Sequence, residues 1–110
     1  MIIEFHTPYG KISEKLLDTI RKELLELSHI YKRASRAEVL LKEDITIIPS
    51  ENKVCEISLA IYGDNIRVHS RTEKFEKSAK EAIKELKKMI NKLRKEQNEP
   101  PDQVTSSVKV

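Results

Sequence analysis

The chain has 110 residues, of which 38% are hydrophobic and 35% charged, with a formal net charge of +3. Its single cysteine excludes a disulfide-stapled scaffold, and no apolar run approaches the ~20 residues needed to span a bilayer. One domain with a modest core is expected, built mostly of Ile, Leu, Val and Ala because the chain has no Trp, three Tyr and two Phe.

The opening "MIIEFHTPYGK" lacks the basic-then-apolar layout of a signal peptide. A cytoplasmic protein is therefore expected. "IIEFH" (2–6) reads as a first strand, ended by Thr7, Pro8 and Gly10. A helix follows from Ile12 to about Tyr31, with Ser13 placed to cap it. Its Leu16, Leu17, Ile20, Leu24 and Leu27 fall within about a third of the helical circle, and Asp18, Lys22 and His29 lie opposite. Leu25 strays to the polar side.

"RAEVLLKE" (36–43) reads as a second strand. Pro49 and Ser-Glu-Asn end the next segment, whose Ile45, Ile47 and Ile48 either extend the strand or cover a core edge. "KVCEISLAIYG" (53–63) alternates well, with Cys55, Ile57, Leu59 and Ile61 on one face and Glu56, Ser58 and Ala60 on the other. Cys55 among such neighbours reads as a buried, reduced thiol. Gly63-Asp64-Asn65 reads as a hairpin turn, and 65–71 as a fourth strand with Arg67, His69 and Arg71 on its polar face. The last helix runs from about Thr72 to Lys95. Phe75, Ala79, Ala82, Ile83, Leu86, Met89, Ile90 and Leu93 form a stripe within roughly 120° of arc. Residues 96–110 form a polar tail with the composition of a disordered segment.

The order β-α-β-β-β-α, with one apolar face per helix and alternating strands, predicts a two-layer α+β sandwich over residues 1–95. Both helices would cover one face of a four-stranded sheet. Strands 2 to 4 would form an antiparallel meander. Strands 1 and 2, joined through a helix, would be parallel.

Charge is segregated along the chain. Residues 74–95 hold nine basic and three acidic side chains, a net +6, against −3 for the remainder. Opposite the apolar stripe, Lys77, Lys80, Lys84, Lys88 and Lys95 form a ridge, with Lys87 beside them. Two readings compete. One is a solvated face with ion pairs such as Glu81 to Lys84 or from Glu85. The other is a surface for polyanions. A helix stabilised by its own ion pairs interleaves the signs, and this ridge does not. A membrane-surface helix needs its apolar face free for lipid, and here the sheet needs that face. Arg67, His69 and Arg71, and Lys32, Arg33 and Arg36 in the connection after the first helix, could extend the footprint. With few aromatic residues, recognition would rest on RNA shape and backbone.

Signals for catalysis are weak. His6, His29 and His69 lack partners at metal-ligand spacing, and the two glycines make no phosphate-binding loop. No nucleophile motif is present. An enzyme, a cofactor, a metal site and a small-molecule substrate are not expected.

"ISEKLLDTIRKELLEL" (12–27) and "KVCEISLAIYGDNIRVHSRTEKFEKSAKEAIKELKKMINKLRKE" (53–96) resemble the first helix, and the last hairpin with basic second helix, of the ribosome hibernation-promoting factor family. That family is also called sigma-54 modulation or ribosome-associated inhibitor proteins. The likeness covers residues 1–95, with Phe75 where the family often has Tyr. It implies that the sandwich is similar to a double-stranded-RNA-binding domain. It also implies a non-catalytic translation inhibitor that binds 16S rRNA in the mRNA channel of the small ribosomal subunit, during stress or stationary phase. Matched onto the family's basic helix, Lys77, Lys80, Lys84, Lys87, Lys88, Lys92 and Lys95 would contact rRNA, with Lys22, Lys32 and Arg33 as further candidates. The sequence resembles the short form of the family, without the extra C-terminal dimerisation domain. Two alternatives stay open. One is a general structured-RNA or double-stranded-RNA-binding module. The other is a protein-interaction domain with a merely solvated basic helix. The first strand favours the ribosome reading, because a minimal double-stranded-RNA-binding domain begins with its helix.

Overall fold

The computed structural model describes residues 1–8, 12–44, 51–61 and 64–97. Its elements are β1 (Ile2–His6), α1 (Glu14–Ile30), β2 (Ala34–Glu43), β3 (Lys53–Ile61), β4 (Asp64–Thr72) and α2 (Phe75–Gln97). The predicted order holds throughout. The sheet order is β1-β2-β3-β4. β1 is parallel to β2, pairing Ile2 with Arg36 through to His6 with Leu40. β2, β3 and β4 are an antiparallel meander.

Side-chain hydroxyls fix the entry to each helix. The Ser13 hydroxyl accepts the Leu16 N–H at 3.1 Å, as its position in the sequence predicts. α2 begins three residues later than predicted, because Thr72 still belongs to β4. The Thr72 hydroxyl accepts the Lys74 N–H at 3.2 Å and lies 2.8 Å from the Ser78 hydroxyl. Ser78 is fully buried and donates to the Lys53 carbonyl at 2.5 Å. This chain of contacts ties the first turn of α2 to the end of β4 and the start of β3.

Alternation along the strands sends one set of side chains into the core. Ala37, Val39, Leu41, Cys55, Ile57, Leu59, Ile66 and Val68 are buried there with Leu16, Ile20, Leu24 and Leu27 of α1 and Ala79, Ala82, Ile83, Leu86 and Ile90 of α2. Both helices therefore cover the same face of the sheet. Ile3 and Phe5 pack against this core from β1. Arg21 of α1 lies 5.2 Å from the Phe5 ring centroid, a cation–π contact that fastens the outer side of α1 to the edge strand. Leu25 is exposed, in keeping with its stray helical phase.

Two strand starts also differ from the sequence reading. β2 begins at Ala34, two residues early, with a bulge between Ala34 and Arg36. Asp64 and Asn65 are already in the ladder, paired with Ile61 and Ala60, so the turn does not include them. Glu96 and Gln97, read as the start of the tail, belong to α2; Ile45, Ile47, Ile48 and residues 98–110 lie outside the described residues.

Cys55 is fully buried as expected. Burial, reinforced by the charge of Glu56, pushes its thiol from the ordinary 9.0 up to about 12. An unfolded chain ionises this thiol first, so its contribution to stability is complete below about pH 9 and is lost as pH rises towards 12. A disulfide reagent at pH 8 is expected to label Cys55 only as fast as the protein unfolds. Rapid labelling of the native protein would contradict the buried placement.

Replacing Ser78 by Ala leaves the Lys53 carbonyl without this donor. Such a loss costs about 1–3 kcal/mol, read as a lower urea midpoint at unchanged m.

Candidate nucleic-acid interface

The basic ridge is a consequence of packing. The apolar stripe of α2 faces β3 and β4, so the residues opposite that stripe point away from the sheet. Lys77, Lys80, Lys84, Lys87, Lys88, Lys92 and Lys95 are all exposed. Lys92 shares its helical phase with Glu81 and Glu85 rather than with the ridge. The Glu81 carboxylate accepts the Ser70 hydroxyl at 3.0 Å, so that flank faces β4.

The ridge is short of counter-charges. Lys77 lies 3.6 Å from Glu73, whose carboxyl is held below its usual range by its own backbone amide and then by Lys77. Lys87 donates to Glu23 of α1 at 2.8 Å. Among the described residues, Lys80, Lys84, Lys88, Lys92 and Lys95 form no ion pair. The pairs that a solvated face would use, from Glu81 and Glu85 to neighbouring lysines, are not made among the described residues. Arg94 and Lys95 also occupy the last turn of α2, where cations complement the helix terminus.

α1 adds to this surface. β1 and β4 run in the same direction, so the helices that follow them return in the same sense and end at the same edge of the domain. Lys32 and Arg33 are exposed in the turn between α1 and β2, at that edge. Lys22 is exposed on α1. Between the helices lies a groove of about 670 Å³ with Leu16, Ile20, Ala79 and Ile83 in its lining. Lys15 borders it from α1, and Lys80, Lys84 and Lys87 from α2. Lys15 was missed by sequence reasoning, because it stands between Glu14 and Asp18 on a helix of mixed charge, outside the basic segment 74–95. Its helical phase, one side of α1 shared with Lys22, was the signal available.

The arginines of the sheet do not join the ridge. Ile66 and Val68 enter the core, so Arg67, His69 and Arg71 project from the opposite face of the sheet. Arg36 belongs to β2 rather than to the connection, and it is on that same far face. It pairs there with Glu4 and, at 3.3 Å, with Glu38. A single flat footprint cannot include both sets.

The sequence profile of the Sigma 54 modulation protein / S30EA ribosomal protein family matches residues 3–98. The chain belongs to this family. The family match spans nearly the whole of the described fold, from β1 to the end of α2, and makes the chain one of the ribosome-associated proteins of the S30EA type. A ribosomal subunit interface protein from Coxiella burnetii has a similar structure, with a TM-score of 0.72 at 16% identity over 86% of this chain and 98% of that one. The Protein Y N-terminal domain from Thermus thermophilus superposes with a TM-score of 0.69 at 20% identity over 86% and 100%. At these identities the likeness concerns the fold. Comparison with curated proteins returned no match.

Among the described residues, no group of three or more His, Cys, Asp or Glu side chains is placed to hold a metal ion. No helix there is long and apolar enough to cross a membrane.

The Lys87–Glu23 bridge is more than one-third exposed on both sides. Its coupling in a double-mutant cycle is expected to be no more than about 1 kcal/mol. A much larger value would make Lys87 a structural residue rather than part of the binding ridge.

Proposed function

We propose that this protein is a cytoplasmic, non-catalytic translation inhibitor that binds 16S rRNA in the mRNA channel of the small ribosomal subunit and silences idle ribosomes under stress or in stationary phase. Lys80, Lys84 and Lys88 form the centre of the contact. Lys77, Lys87, Lys92 and Lys95 flank them on α2, and Lys15, Lys22, Lys32 and Arg33 extend the surface. One observation carries the reading: a run of lysines without acidic partners, on a helix whose apolar side is fully used by the core. Membership of the S30EA family supplies the ribosome as the partner. The names of the two similar structures, a subunit interface protein and Protein Y, agree with it.

Binding would operate through phosphate neutralisation and counterion release. Five neutralised phosphates imply a fall in affinity of about 10²-fold between 50 and 200 mM salt. Occupation of the channel excludes mRNA, and no covalent step is needed. The protein-interaction alternative leaves the like-charge ridge without a purpose. Lysines four apart destabilise the helix by about 0.2–0.5 kcal/mol for each pair.

Sedimentation through sucrose gradients at low and high salt tests this reading. Wild type is expected to travel with small subunits and whole ribosomes at low salt and to be released at high salt. A Lys80→Glu/Lys84→Glu/Lys88→Glu variant is expected to remain at the top of the gradient with a nearly unchanged unfolding midpoint, because like charges still repel along the ridge. Lys87 is left intact because it bridges to α1. Wild type that stays at the top in both salts would sink the ribosome reading.

A further inference from the structure

The groove between α1 and α2 is a different kind of surface from the ridge beside it. We propose that it receives one unstacked nucleotide of the bound RNA, with the base between the aliphatic stems of the side chains on its banks and the adjoining phosphates on their lysine ammonium groups. The inference rests on the RNA-binding reading above and assigns a role within that surface.

Four observations converge. First, the groove's volume of about 670 Å³ falls within the roughly 300–1,000 Å³ range of small-molecule sites. Leu16, Ile20, Ala79 and Ile83 lie at its base and are themselves buried, so the apolar surface it offers comes chiefly from the stems of the longer side chains on its banks. Second, cations stand on both banks, Lys15 on α1 and Lys80 and Lys84 on α2. None of the three has an ion-pair partner among the described residues. Lys80 and Lys84 are one turn apart, about 6 Å along the axis.

Third, the groove is short. Its lining runs from Ser13 to Glu23 on one helix and from Glu76 to Lys87 on the other, a length of about 16 Å. The Lys87–Glu23 bridge joins the helices at one end. An amphipathic helix of several turns would need a longer, open channel. Because Glu23 is engaged by Lys87, Glu76 is the acidic group of the lining that has no ion pair among the described residues. It is placed to accept a hydrogen bond from a ribose hydroxyl or an exocyclic amine.

Fourth, the described aromatic rings are engaged elsewhere. Phe5 lies under Arg21, Phe75 under Lys53, and Tyr31 is buried. An unpaired base, which proteins commonly hold by its faces, therefore finds an aliphatic surface bordered by cations in the groove.

Three short RNAs test the proposal at low salt: a plain duplex, the same duplex with one bulged adenosine, and the same bulge made abasic. Wild type is expected to bind the bulged duplex about tenfold more tightly than either of the others, the scale of a single base contact. Thr19 is exposed on α1 and lines the groove. Thr19→Trp fills the groove, and is expected to abolish the preference while leaving affinity for the plain duplex unchanged. Thr19→Val is expected to keep the preference.

Equal binding of all three RNAs by wild type would overturn the proposal, as would a preference that survives Thr19→Trp. Failure to bind any of them by a protein that sediments with ribosomes would also overturn it, with the ribosome reading intact. Failure in both assays would remove the two together. An unchanged RNA series combined with loss of ribosome sedimentation in Thr19→Trp would assign the groove to a protein segment instead.

Discussion

The structure depends on one commitment, the packing of the apolar stripe of α2 against β3 and β4. Ile83, Leu86 and Ile90 are buried there, and each such side chain contributes about 1.5–3 kcal/mol when removed from water. The opposing cost is small. Like charges one turn apart on the outer ridge cost about 0.2–0.5 kcal/mol per pair. The core therefore wins by a wide margin, and the helix can hold lysines together that would repel one another on an isolated peptide. The same packing removes the apolar face from competition for lipid or a partner helix.

The sheet then divides the charges. Its inner face is used by both helices, and its outer face carries Glu4, Arg36, Glu38, Arg67, His69 and Arg71. On that outer face the signs are mixed, and Arg36 is neutralised by Glu4 and Glu38. On the helical side, cations predominate and most lack partners. A polyanion approaching the domain meets an attractive surface on one side and a balanced one on the other. This asymmetry orients the molecule before any specific contact forms.

The two helices are joined by few polar contacts. Lys87 to Glu23 fastens them at one end, and Arg21 over Phe5 holds the far side of α1 to the edge strand. From that bridge back towards Ser13 and Glu76 the helices stand apart enough to leave the groove. Its floor is continuous with the core, so its shape is set by the same side chains that stabilise the fold. A ligand there would contact rigid elements rather than loops.

Periodicity and charge order by themselves determined much of this protein. The period of two in 53–61 and of 3.6 in 75–93 gave the elements, and one apolar face per element left a two-layer sandwich as the economical arrangement. The segregation of lysines onto the phase opposite the stripe was legible for the same reason, because both sides of a helix are read from one periodicity. Tertiary structure alone decided what depended on residues distant in sequence. It decided that Thr72 ends a strand rather than begins a helix, through Ser78 and the Lys53 carbonyl. It set Arg36, Arg67, His69 and Arg71 a whole sheet away from the lysine ridge, because alternation names the polar face of a strand but the distance of that face from the outer side of a helix depends on how the layers stack. It brought Glu23 to Lys87 and set Lys15 opposite Lys80, since the separation and relative rotation of two helices are fixed by how their side chains interlock, and no pattern within either helix encodes that.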